Sequence, residues 1–483
     1  MMLSLTAQHP QILMGCSLRS FLRSWIRRIH KRIVATSSAP SAPPHEAVPL
    51  LDQRVTRLSP AQQLPDEIIL EIMGHLIPVT APRRSSISSS SPERAAAAVT
   101  QTLIRHQVFL LRACRTCRSW YAAGSEVLYR SPLLANPHKM ELFERTLMNS
   151  PSLARFVKAI YAPIRVEGTA ADLFGWVVGR RSLSAQREDL STVLSNCSSL
   201  RALTIRHSVR AGMVSRVPVK EVLKSNRRLS GQLESLSLHG STHETSSAPQ
   251  YCVLPTLSDM LLPHLQVLCL RGIYVLPSLH LPVLPQLHTM HLVGNHYFGH
   301  GPYFFAESLP ALRSLEVVKQ NRFPDPTFGL REVFDDACLR QLENIRVMQD
   351  ERCMLITRSI PCDGRVRRLV LGKISSRDHT DLVCWRLPEG LETLHLVLRQ
   401  DETSHRSIAD LEDTLDAVCR CLELNDEAKK LRELVVVARL DNIFGGPTDR
   451  APFKAVLDDL QSLCCRRGIS FRIDPPCECS RRR

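Results

Sequence analysis

The residues best suited to chemistry in this sequence are its cysteines and histidines. Sixteen cysteines are present, and Cys114-x-x-Cys117 has the spacing of two thiolate ligands to one zinc ion. A tetrahedral site needs two further donors, yet no second pair and no histidine pair follows at zinc-finger distance. Cys419/Cys421, Cys464-Cys465 and Cys477/Cys479 are equally partnerless patterns. Buried thiols behave as small hydrophobes, so reduced cysteines that serve packing are expected. The 18 histidines concentrate around His280, His288, His291, His296 and His300. His288 and His291 flank the apolar Met290 and the others fall in loop-like segments, which reads as a solvated polar face. Gly372-Lys373 resembles the end of a phosphate loop. Seven residues separate it from Gly364, however, and Ile374 stands where a hydroxyl must reach Mg²⁺. Neither a GxSxG elbow nor an HExxH helix occurs. The sequence therefore implies no catalytic residues, no metal and no cofactor, and a protein that is not an enzyme is expected.

What remains is binding chemistry, which depends on the elements that present it. Leu64-Pro65-Asp66-Glu67 opens a short helix, with Pro65 fit for the first helical position and acidic residues placed where the helix dipole favours them. Ile68, Ile69, Ile72, Met73 and Leu76 then recur at three- and four-residue steps, one apolar helical face. Leu110, Leu111, Cys114, Cys117 and Tyr121 keep the same spacing further on. Two such short helices cannot bury themselves alone. Leu64-Pro65, Glu67, Ile68, Ile72 and Leu76, followed by Cys117-Arg118-Ser119-Trp120 and Leu128-Tyr129-Arg130, resemble an F-box. The resemblance implies a three-helix unit that docks on the Skp adaptor of a cullin ubiquitin ligase. It implies adaptor contacts from Leu64, Pro65, Ile68, Ile72, Leu76, Leu111, Cys117, Trp120 and Leu128, some of which must be core. The unit is expected over 59–131, with a Ser-rich insertion at 78–102 read as a flexible loop. Loop closure grows only as the logarithm of length, so the fold should tolerate it. The following segment, a helix from Pro137 ending near Ser150-Pro151 and then Leu153 to Ile160 alternating into a strand, is similar to F-box proteins of mushroom-type fungi.

Downstream, an apolar triplet of the form Leu-x-x-Leu-x-Leu recurs nine times, from Leu200/Leu203/Ile205 to Leu431/Leu434/Val436. Successive triplets start 33, 32, 22, 25, 30, 24, 25 and 40 residues apart, mostly near the leucine-rich-repeat range. The last two positions lie two apart, so both point to one face of a strand. Helix-like stretches intervene at 189–197, 219–229, 330–342 and 408–424, and a final helix and strand are expected at 451–468 and 469–473. The expected fold is α/β: a short helical F-box-like unit, then an irregular leucine-rich-repeat solenoid over 137–475. Its parallel strands would line a concave face and its helices a convex one. The Asn that closes a standard repeat occurs only at Asn295, so a degraded, open arc is expected. A protein substrate should lie on the concave strand face, against Arg201, Thr204, His239, Arg271 and Arg313.

Charge and length bound the remaining classes. The net charge is +15, but residues 1–45 carry six basic and no acidic residues and Arg481–Arg483 add three more, so nine of the fifteen sit in two tails. Aromatics are 5%. A nucleic-acid groove would want clustered charge on the folded surface with aromatics interleaved, so no nucleic acid is expected. No apolar run reaches membrane-spanning length, and membrane association is not expected. Residues 1–58 read as a basic tail containing an amphipathic stretch at 15–34, and 476–483 as a basic C-terminal tail. The reading is a cytoplasmic or nuclear substrate receptor whose partners are a Skp-type adaptor, through it a cullin, and a protein substrate. Two alternatives stand beside it: a leucine-rich scaffold without a ligase, and a mitochondrial or membrane-surface protein steered by residues 15–34.

Overall fold

Pairs of buried residues two apart turn these segments into strands, and the repetition of such pairs turns the strands into a sheet. The computed structural model describes residues 65, 68–70, 107–108, 110–115 and most of 118–474. Within that span, 167–182, 210–213, 241–250, 298–300, 320–328, 350–358, 375–384, 399–406, 426–428, 438–449 and a few shorter stretches lie outside the description. The stretch 15–34, the insertion 78–102 and the tail 476–483 also lie outside the described residues, as do Leu64, Ile72, Leu76 and Cys117. The chain divides into two units, Met1–Ser59 and Pro60–Arg483. The elements below belong to the second.

Helices are α1 (Arg118–Arg130), α2 (Pro137–Asn149), α3 (Pro151–Ala154), α4 (Leu183–Asn196), α5 (Val219–Lys224), α6 (Arg227–Gln232), α7 (Asp336–Gln341), α8 (Ser407–Leu424) and α9 (Arg450–Arg466). Strands β1 (Ala159–Val166), β2 (Ala202–Val209), β3 (Val214–Arg216), β4 (Ser235–Gly240) and β5 (Tyr251–Val253) come first. They are followed by β6 (Val267–Arg271), β7 (Tyr274–Val275), β8 (Thr289–Val293), β9 (His296–Tyr297) and β10 (Ser314–Lys319). The last are β11 (Asn344–Gln349), β12 (Arg368–Ile374), β13 (Thr393–Leu398), β14 (Glu433–Val437) and β15 (Ser470–Asp474).

Eleven strands form one sheet in the order β1-β2-β4-β6-β8-β10-β11-β12-β13-β14-β15, and every pairing is parallel. A smaller parallel sheet, β3-β5-β7-β9, runs beside its first half. Parallel neighbours require a crossover between them. Here helices or irregular segments supply it each time, and strand order never departs from chain order within the large sheet.

All nine triplets are in the core, with only Val317 half-buried. Leu190, Val193 and Leu194 of α4, Leu339 of α7, Leu415 and Val418 of α8 and Leu460 of α9 join the same cluster, so the helices cover one face of the sheet. Local capping fixes where two of these helices begin. The Asn226 side chain accepts from the Leu229 N–H at 3.0 Å and Asp335 accepts from the Cys338 N–H at 2.8 Å, satisfying donors the first turn leaves open. Strand starts are stitched by main-chain bonds from each strand segment to the one before, as from Glu234 N to Arg201 O (2.8 Å) and Gln266 N to Glu234 O (2.8 Å).

One expected strand is displaced. Leu153 to Ile160 reads as a strand in sequence, whereas Pro151 starts the helical turn α3 and β1 begins only at Ala159. Pro151 cannot donate a ladder hydrogen bond but fits a first helical turn, which accounts for the shift. Placing β1 there reveals a further triplet, Val157/Ile160/Ala162, fully in the core. Alanine in its last position hid it from a search for leucine.

Candidate functional site

Two surfaces emerge, one on the N-terminal helices and one on the sheet. At the first, the N–H groups of Ile68 and Ile69 both donate to the Pro65 carbonyl at 3.1 Å, forming the opening turn that the Pro65 position predicts. Ile69 is fully buried and packs with Leu110, Ala113, Ala123 and Val127 in a core separate from that of the sheet. Trp120 and Leu128 are half-buried against this small core. Among the sequence-predicted contact residues, Trp120 and Leu128 thus serve packing, Ile68 is half-buried, and Pro65 and Leu111 are exposed. Leu111 is 47% exposed and Val108, one turn earlier on the same helical segment, 44%. Tyr121 is 64% exposed. Sequence spacing placed Leu111 and Tyr121 on the apolar stripe and passed over Val108. Spacing three apart was the available signal, because it puts Val108 and Leu111 on one face.

The helical unit is joined to the sheet by more than the chain. Lys158 N donates to Arg130 O at 2.9 Å, and Leu134 N donates to Tyr161 O at 3.2 Å. The Tyr129 ring stacks on Phe143 with centroids 5.9 Å apart and leans on the large core. Helix α1 therefore contributes to both cores.

The second surface is the sheet face opposite the helices. On β6 and β8 buried and half-buried residues alternate strictly, and the half-buried set looks outward. All-parallel sheets ordinarily have both faces covered. Strand register lines the outward residues into rows. One row passes from Thr204 through Ser237, Cys269, His291, Glu316 and Arg346. In it Glu316 accepts from His291 Nδ1 at 2.8 Å and pairs with Arg346 Nε at 3.2 Å. The next row passes from Arg206 through His239 and Arg271 to Val293, Val318 and Met348. Burial, with the Arg271 and Arg206 guanidiniums alongside, pulls the His239 pKa down to about 3, so it is neutral at pH 7. Burial also lowers the Arg271 pKa, opposed by Cys269 and reinforced by Arg206.

Of the residues expected to line this face, Thr204, His239 and Arg271 do. Arg201 and Arg313 do not. Each directly precedes the first residue of its strand and runs along the rim, Arg201 bonded to Glu234 and Arg313 to Glu343 at 3.6 Å. Period-two reasoning requires the outward row to include Ala202 and Ser314, so positions one residue earlier face away. Arg206 was missed by sequence reasoning, although it stands two residues beyond Thr204 on the same face.

The candidate chemistry of the thiols and imidazoles resolves into structure. The ten described cysteines are free. Burial pushes the Cys197, Cys338 and Cys421 thiols up to about 12, so they are poor nucleophiles. Cys114 is buried, and its pKa is raised for the same reason. His288 Nδ1 lies 2.9 Å from its neighbour Thr289 Oγ1, His291 meets Glu316, and His296 stacks on Tyr274 at 4.5 Å, so the histidine run is dispersed over separate partners. Among the described residues no group of three or more His, Cys, Asp or Glu is placed to hold a metal ion, and no helix is long and apolar enough to cross a membrane.

Residues 61–135 match the family model described as F-box-like. No curated protein matches the chain. The helical unit around Ile69 and α1 therefore lies within an F-box-like domain, a kind of domain that generally binds Skp-type adaptors and points to a substrate-adaptor role in cullin ligases.

Proposed function

We propose that this protein is the substrate-recognition subunit of a Skp–cullin–F-box ubiquitin ligase and is not itself an enzyme. The F-box-like helices dock on the adaptor, and through it on a cullin. The large sheet is an irregular leucine-rich-repeat arc whose open, concave face holds a protein substrate. One observation carries the reading. The F-box-like unit, with Val108 and Leu111 exposed, is hydrogen-bonded into a parallel sheet whose second face carries polar and charged side chains, Thr204, His239, Arg271, His291 and Glu316 among them, beside apolar ones. An apolar surface facing an adaptor and a polar one facing a substrate are what a receptor requires. Buried, free thiols suit a reducing cytoplasmic or nuclear setting, and with most of the excess charge in the tails a protein is favoured over a nucleic acid as the partner.

The test is a pull-down of the full chain with purified Skp adaptor, beside Leu111→Asp and Val108→Asp. The intact chain should bind, and each variant should lose at least about tenfold in affinity, because an exposed apolar contact is replaced by a charge that must be desolvated. Absence of binding by the intact chain would overturn the ligase reading and favour a repeat scaffold that acts without a ligase.

A further inference from the structure

On the open sheet face, charge is distributed unevenly. Strands β1, β2, β4 and β6 contain no Asp or Glu at all. On three of them, register sets Arg206, His239 and Arg271 side by side in one row. Neighbouring strands lie about 4.8 Å apart, so the two guanidiniums are anchored roughly 10 Å from each other across His239. Like charges on adjacent strands cost stability. Farther along the sheet the outward carboxylates are answered locally: Glu316 by His291 and Arg346, and Glu433 and Asp474 by Arg472 at 3.2 and 3.3 Å. The basic row is the sector with no acidic residue on its strands. Beyond Arg271 the row becomes apolar through Val293, Val318 and Met348, whose side chain reaches over Gly372 so closely that a Cβ there would meet its Sδ at 2.3 Å.

We infer that this row binds an extended acidic segment of a partner protein, with two Asp or Glu side chains on Arg206 and Arg271 and apolar side chains following over Val293 and Val318. An extended segment of the polyproline type advances about 3.1 Å per residue and returns to the same face every third residue, so carboxylates three residues apart lie about 9 Å apart on one side and match the two guanidiniums. Planar guanidiniums donate two parallel hydrogen bonds to a carboxylate, which fixes position as well as charge. Neutral His239 lies between them without adding a third repelling charge. The inference rests on the reading that the open face holds a protein substrate, and it names that substrate's chemistry.

The experiment selects binders from a displayed library of random peptides of about twelve residues, long enough at ~3.3 Å each to cross the row. The full chain is the target, and enriched peptides are then titrated by fluorescence anisotropy. Enrichment of paired Asp or Glu followed by apolar residues is expected, with affinity falling at least tenfold on Arg206→Gln or Arg271→Gln and further on Arg271→Glu. Thermal stability of Arg206→Gln and Arg271→Gln should not fall, and their adaptor pull-down should be unchanged, which separates loss of the site from loss of the fold. Enriched peptides without acidic bias, equal binding by the variants, or binding only after a serine is phosphorylated would each overturn it. Failure of adaptor binding alone would sink the ligase reading and leave this result standing.

Discussion

Single side chains decide how the surfaces are held. Asn295 is buried, accepts from the Ile273 N–H at 3.0 Å and donates to the Leu270 carbonyl at 2.9 Å, tying the turn after β8 to β6 and the residues that follow it. Asn295→Ala leaves both backbone groups buried without this partner, and denaturant titration should show a loss of about 2–4 kcal/mol. At the opposite end Asn425 acts alike, accepting from the Leu387 N–H at 2.8 Å and donating to the Trp385 carbonyl at 2.8 Å. His239 makes stability depend on pH. Its native pKa, about 3, lies below the ordinary 6.5, so between those values the unfolded chain binds more protons than the folded one. The His239 contribution to stability therefore rises with pH through that window and is constant above it. Urea titrations from pH 4 to 7 should show a shallower dependence for His239→Gln than for the native sequence.

At the scale of elements, the strands depend on close approach. Gly240 ends β4, where a Cβ would meet the Gly272 carbonyl oxygen at 2.1 Å, a backbone atom that cannot swing aside. Gly231 in α6 has no heavy atom near its would-be Cβ. The two Ala substitutions should therefore differ in sign: Gly231→Ala should raise stability by roughly 0.5–1 kcal/mol through helix propensity, and Gly240→Ala should lower it measurably by calorimetry. Within the F-box-like helices, packing and docking separate as well. Trp120→Ala, which removes a half-buried ring from the small core, should destabilise by about 1–3 kcal/mol, whereas Leu111→Asp should leave the melting temperature nearly unchanged while weakening adaptor binding. A Leu111→Asp protein that unfolds would place Leu111 in the packing set instead.

Across the whole molecule, the two surfaces sit on different cores and should act independently. Combining Leu111→Asp with Arg271→Gln should leave each loss at its single-variant size, adaptor affinity in the pull-down and peptide affinity by anisotropy, as expected for sites that share no partners. The thiols give a second global check. Cys465 is the exposed one among the described cysteines, while Cys197, Cys338 and Cys464 are buried. Maleimide mapping of the native protein should modify Cys465 and spare those three until denaturant is added.

Much of this was legible in the residues themselves. Burial needs only that apolar side chains recur in step with the local backbone period, so the nine triplets, the opening turn at Pro65 and the single Asn295 could be read from spacing alone. Spacing also explains the failures, since Val157/Ile160/Ala162 carries too little hydrophobic signal and Pro151 carries a turn that alternation ignores. What spacing could not supply was the relation between successive strands and helices. Which of Leu111, Trp120 and Leu128 meets solvent depends on the helix across from it. That Arg206 shares a row with Arg271, while Arg201 and Arg313 run along the rim, follows from strand register. Register is set by hydrogen bonds between segments about thirty residues apart, such as Arg201 with Glu234. No window of local sequence contains both partners of such a bond, so the content of the core belonged to the sequence and the composition of the open face to the tertiary structure.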